Sequence, residues 1–192
     1  ASDVYKRQDY YLGDIEELNY TIYINKDGHY TWRPISLLHP LIYVDLVNYI
    51  TQDKDCNNFG WNDLKERFNK FQINTKIKCF SIPGQSLLKN KTDDGTSIIN
   101  WWKNIEQQSI ANSLKYSYCL FTDITDFYPS IYTHSICWAI HGKTSTKENL
   151  KNSKDWYGGI IDSKIQRMQH NQTNEIPQGS ILMDFILSLI HI

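Results

Sequence analysis

Residues 118 to 131 read Tyr118-Cys119-Leu120-Phe121-Thr122-Asp123-Ile124-Thr125-Asp126-Phe127-Tyr128-Pro129-Ser130-Ile131. Tyr118 to Thr122 are a continuous run of aromatic and other strand-favouring residues, which predicts a strand buried on both faces. The run stops at Asp123. A carboxylate where a buried strand meets its loop is costly to desolvate unless it is hydrated, paired or bound to a metal, so Asp123 calls for a partner. Asp126 follows three residues later, and two carboxylates so close repel each other; a divalent cation is one way of making the arrangement favourable. The same spacing suits a strand followed by a turn in which Asp126 or Thr125 caps the next helix.

Asp123-Ile124-Thr125-Asp126-Phe127-Tyr128 resembles the first catalytic motif of reverse transcriptases, in which an Asp ends a palm strand and an aromatic residue sits five positions later. Trp32-Arg33-Pro34-Ile35-Ser36 is similar to the fingers motif that precedes the palm, and Ile176-Pro177-Gln178-Gly179-Ser180 to the motif that follows it. Their order and separations match the fingers and the first part of the palm, so the resemblance covers most of the chain. Residues 132 to 136 and 138 to 143 look closest to bacterial antiphage-defence or abortive-infection reverse transcriptases.

The resemblance implies an α/β (α+β) chain in the right-hand polymerase sense. Fingers and the start of the palm would occupy residues 9–115, and an antiparallel palm sheet backed by helices residues 116–186. It implies RNA-directed DNA polymerisation, in which a primer hydroxyl attacks a dNTP on an RNA or DNA template, with a role in antiphage defence. Such phosphoryl transfer needs in-line geometry and charge neutralisation, and two Mg2+ ions about 3.5 to 4 Å apart supply both. Mn2+ is the alternative metal. Asp123 would bridge the ions, and the Ile124 carbonyl would add an oxygen to one of them. The backbone N–H groups of Asp126 and Phe127 would hold the triphosphate, while Tyr128 would lie beneath the sugar and exclude a 2′-hydroxyl by clash. Arg33 and, at a hairpin tip, Lys26 would fold over the triphosphate; the rigid guanidinium fork suits phosphate oxygens. Gln178 and Gly179 would lie under the incoming nucleotide and its template base. Glu175 stands where many relatives have Gly, which implies a stiffer loop. Relatives carry a further motif with two Asp after the Gln178 helix. The chain stops before it, so the expectation is an active parent and an inactive chain of 192 residues. A partner RNA or protein subunit is compatible with this reading.

The composition is that of a folded protein: 41% hydrophobic and 14% aromatic, with 6 Trp and 13 Tyr, which argues against disorder. A formal charge of -1 gives no overall basic footprint, so any surface for nucleic acid has to be local. The 4 Cys show no metal-ligand spacing and read as reduced thiols of a cytoplasmic protein. No uninterrupted apolar run approaches the roughly 20 residues that span a bilayer, so no membrane partner is expected. Residues 1–8 and 187–192 resemble translated sequencing-adaptor read-through; the expectation is native sequence from Asp9 to Ile186.

Elsewhere the pattern is mostly helical. Tyr20 to Asn25 and His29 to Ser36 predict a hairpin around Lys26-Asp27-Gly28, because Gly accepts the positive φ of a tight turn. Pro40 opens a helix to about Gln52 with Leu41, Val44, Val47 and Ile50 on one stripe. Asn62 would cap a helix bearing Leu64, Phe68 and Phe71. A short strand over Lys76 to Ser81 follows, then a helix from Ser97 to about Leu114 that buries Ile98, Trp101, Trp102 and Ile105. Ile131 to His141 reads as a helix ended by Gly142, Lys143 to Lys154 as a loop, and Ile161, Ile165 and Met168 mark a further helix. In the stretch from Gln172 to Ser180, Pro177 restrains the backbone, Gly179 permits close approach, and Gln178 offers an amide that donates and accepts. A plain Pro-Gly turn is the alternative.

Three rival readings stay open. Asp123 to Ile131 also resembles the first motif of family B DNA polymerases, against which Arg33-Pro34 and Gln178-Gly179 argue. A noncatalytic, reverse-transcriptase-like nucleic-acid scaffold is the second. A small metal-dependent hydrolase using Asp123, Asp126 and His134 is the third, although His134 and His141, seven apart, suit packing or surface roles better than a metal pair.

Overall fold

A computed structural model of the chain describes residues 19–26, 28–53, 59–77, 79, 94–120, 122 and 124–192, with the backbone alone for 94–98, 100 and 101. The described residues form a mixed α and β structure, a two-stranded antiparallel sheet followed by seven α-helices and one 3-10 turn. The strands β1 (Tyr20–Asn25) and β2 (Trp32–Leu37) pair Tyr20 with Leu37, Ile22 with Ile35 and Ile24 with Arg33, and Gly28 takes φ +78° in their turn. This is the hairpin expected from the Asp-Gly signal, with the second strand starting three residues later. The helices are α1 (Pro40–Thr51), α2 (Trp61–Thr75), α3 (Asp94–Ser113), α4 (Ser135–His141), α5 (Lys143–Glu148), α6 (Tyr157–Arg167) and α7 (Ile181–His191).

The core is built where helical apolar stripes meet. Helix α4 packs on α6 and α7, and α1 packs on α6. Leu46 and Ile50 of α1, Leu64 and Phe68 of α2, Ile136 and Ile140 of α4, Tyr157, Ile161 and Ile165 of α6, and Met183 and Ile186 of α7 are buried together. Phe68 stacks on Phe185 at 5.1 Å, and Tyr157 lies between Tyr49 and Phe59. A Cβ on Gly158 would sit 2.9 Å from the Cys137 Cα, so that position holds α6 close against α4. His141 accepts a hydrogen bond from the Gly158 N–H at 3.0 Å and packs beside Trp156, the packing role expected for it. Leu187 and Leu189, in the tail set apart above, are buried on α7. No helix among the described residues is long and apolar enough to cross a membrane.

Several expectations are corrected. No strand forms at Tyr118, Cys119, Leu120 or Thr122: Tyr118 and Leu120 are about nine-tenths exposed. A strand needs a neighbour to receive its ladder hydrogen bonds, and none of the described segments lies beside this run. On α1 Ile50 is buried and Val47 packs against the core as expected, but the face turns away from the rest of the stripe, with Leu46 inside and Leu41 and Val44 exposed. Helix α2 is entered at Gly60, whose N–H donates to Asp63 Oδ2 at 3.0 Å, so Asp63 does the capping expected of Asn62. Helix α3 starts at Asp94, and its Trp102 and Ile105 are exposed, since no other described element packs extensively on that face. Helix α4 starts at Ser135, because the backbone of 128–133 is engaged elsewhere, and residues 143–155 hold α5 and the 3-10 turn where a loop was expected. The strand expected over Lys76 to Ser81 falls largely outside the described residues; Lys76 itself takes φ +61° and ends α2.

Tyr157 shows how the core is tied. Its ring is fully buried, and its hydroxyl donates to the Ile50 carbonyl at 2.6 Å, joining α6 to the end of α1. Tyr157→Phe keeps the packing and leaves that carbonyl short of a partner, so urea unfolding is expected to show a loss of about 1 to 2 kcal/mol.

Candidate functional site

Residues 173–178 carry the site. This stretch is joined on one side to residues 128–133: the Thr133 N–H donates to the Thr173 carbonyl (2.8 Å), Glu175 N–H to Ile131 (2.8 Å) and Ile176 N–H to Tyr128 (3.2 Å), with Tyr132 bridged to Asn174. On the other side the Ser36 N–H of β2 donates to the Gln178 carbonyl at 2.7 Å. The short connection therefore draws three separate stretches together, 32–36, 124–131 and 176–180. Glu175 adopts φ +84° to do so. A left-handed non-glycine costs about 1 to 2 kcal/mol, which the surrounding backbone hydrogen bonds, each about 1 kcal/mol net, offset.

Gly179 is the point of closest approach. Its φ is +126°, and a Cβ there would stand 2.5 Å from Ile35 Cγ2. Ser180 then caps α7, its Oγ accepting from the Met183 N–H at 3.3 Å. The loop thus opens a helix, as the Gln178-Gly179 motif led one to expect, and sits directly on the strand that bears Arg33.

The turn at 125–130 lies on the same side. Asp126 has φ +50°, and its carbonyl accepts from the Ser130 N–H (3.0 Å) and Oγ (2.7 Å), while its side chain is exposed. Phe127 is half-buried against the core and tilts on His191 at 5.0 Å. Tyr128 is half-buried, and its hydroxyl donates to Asp184 on the first turn of α7. Burial and the Asp184 carboxylate push the Tyr128 phenol well above the usual tyrosine range, and the charge of Arg33 partly opposes them. Arg33 is thus brought within electrostatic reach of Tyr128. Lys26 stays exposed in the hairpin turn, its N–H on the Thr31 carbonyl, two residues past Ile24, the cross-strand partner of Arg33. Ile124 is exposed, and Asp123 lies outside the described residues.

Asp184 is the residue that sequence reasoning missed. Its local signal is an acidic side chain in the first turn of a helix, which ordinarily serves the helix dipole. His134, considered as a metal ligand, instead has Nδ1 2.6 Å from Asp162 Oδ2, within a group that includes Gln166 and Thr133. Among the described residues no three His, Cys, Asp or Glu side chains converge on a metal position.

Gly179→Ala is expected to lower stability by about 1 to 3 kcal/mol, read from thermal unfolding, through both strain and contact with Ile35. Adding Ile35→Ala should recover only part of this, because the positive φ remains. The raised Tyr128 phenol stabilises the folded state fully below the unfolded tyrosine value near 10 and loses that contribution as pH rises toward the higher folded value. The stability difference between wild type and Tyr128→Phe should accordingly shrink above about pH 10 in alkaline unfolding. No family model matches the chain, and no match was found among curated proteins.

Proposed function

We propose that this chain forms the fingers and first palm portion of a cytoplasmic RNA-directed DNA polymerase of the bacterial antiphage-defence kind. The observation that supports the reading is the meeting of its three motifs. Stretches more than 140 residues apart in sequence, at Ser36 and Gln178, are joined by a 2.7 Å backbone hydrogen bond. Tyr128 is hydrogen-bonded to the helix that follows Gly179 and lies within electrostatic reach of Arg33. A chance likeness of three short motifs carries no reason for them to share one surface.

In this reading the nucleotide lies over Gln178 and Gly179, Arg33 meets its phosphates, and Tyr128 faces its sugar. Asp123 and the Ile124 carbonyl would hold Mg2+, which when bound supplies charge neutralisation for the transferred phosphoryl group. The chain's own contribution is positioning: the loop 173–178 holds the strand of Arg33 and the turn of Tyr128 at a set separation. The free thiols at Cys79, Cys119 and Cys137 accord with a reducing compartment.

A second reading, the noncatalytic nucleic-acid scaffold, uses the same joined surface of residues 32–36, 124–131 and 176–180 and asks no chemistry of Asp123. One experiment separates the two. The longest open reading frame containing this sequence is expressed and assayed for Mg2+-dependent dNTP incorporation on a primed template. Template-directed incorporation, reduced at least about a thousandfold by Asp123→Asn, is the expected result. Nucleic-acid binding without incorporation would favour the scaffold instead.

A further inference from the structure

We propose that Asp184 is a positioning residue for Tyr128, holding its ring in the orientation that excludes a 2′-hydroxyl and so setting the sugar selectivity of the nucleotide site. The inference rests on the polymerase reading above and adds to it a residue that none of the three motifs contains.

The Tyr128 hydroxyl and the Asp184 carboxylate come from positions 56 residues apart, yet both are carried by backbone tied to the same short loop. The Tyr128 carbonyl accepts from Ile176, and Asp184 lies on the helix that Ser180 caps, its own N–H on the Ser180 carbonyl at 3.2 Å. A half-buried tyrosine ring with no partner at its tip keeps some freedom about its two side-chain bonds. A charge-assisted hydrogen bond at its far end removes that freedom, and a steric filter works only if its wall stays in place. Phe127 meets the Tyr128 ring edge-on at 6.0 Å, so the ring is braced at its base by an aromatic neighbour and at its tip by a carboxylate. A bare carboxylate beside a nucleotide would repel phosphate. Here the phenol donates to it, and Arg33 lies close enough to act on the same phenol.

The test uses the protein from the longest open reading frame, measuring incorporation of dNTP against rNTP on a primed template with Mg2+. Asp184→Ala and Tyr128→Phe are each expected to lower the deoxy preference about tenfold, with the double variant no worse than either. Asp184→Asn, which keeps an acceptor oxygen, should retain most of the preference. Circular dichroism should be near wild type for Asp184→Ala, with melting temperature lowered only by the loss of one hydrogen bond, since that side chain is exposed. Wild-type selectivity in Asp184→Ala would overturn the proposal and leave the polymerase reading intact. Loss of all incorporation in Asp184→Ala, with wild type active, would also overturn it, because a positioning residue should alter selectivity first. No incorporation by the wild type would overturn the reading and the proposal together.

Discussion

The structure depends on the backbone hydrogen bonds made by residues 173–178. One edge of this stretch is satisfied by residues 128–133 and the other by Ser36 of β2. Remove it, and the hairpin has no described backbone tie to the turn that bears Tyr128. The hairpin is itself largely exposed, and an isolated two-stranded sheet is marginal in water, so its place is set by this loop and by Asn19. The Asn19 amide donates to the Met168 carbonyl and accepts from the His39 N–H, fastening both ends of the hairpin region to the end of α6.

Behind the loop stands a polar cluster that keeps it in register. Asp162 is buried on α6, where an unpaired carboxylate would be costly, and it is met by His134 at 2.6 Å and Gln166 at 2.6 Å. Gln166 also donates to the Thr133 hydroxyl, and the Thr133 N–H is bonded to Thr173. The helix core therefore communicates with the loop through side chains whose hydrogen bonds hold one another. His134 is thereby tied into the packing at Asp162.

Apolar burial is uneven along the chain. The helices α1, α2, α4, α6 and α7 share one core, whereas α3 and the following run to Leu120 keep Trp102, Ile105, Leu114, Tyr118 and Leu120 exposed. The candidate site sits on the well-packed part, where the positions of Gly179, Tyr128 and Asp184 are constrained by neighbours. Strand-favouring residues at 118–120 and 122 gain nothing from their propensity when no described ladder lies alongside, which is why none of these four residues is in a strand.

Local sequence by itself determined the hairpin at 20–37, because Asp-Gly and alternating β-formers act over a few residues, and most of the helices, because their apolar spacing is a property of one segment. It also marked the turn at 172–180, through Pro177 and Gly179, whereas the Ser180 cap that opens the next helix emerged from the structure. Only the tertiary structure decided which face of α1 is buried, since Leu41 and Ile42 are equally apolar and the neighbouring α6 makes the choice. Glu175 at positive φ was likewise invisible, because its strain is offset by partners more than forty residues away. The pairing of Tyr128 with Asp184 was hidden for the same reason: an acid in the first turn of a helix looks like any other until a fold brings a phenol to it.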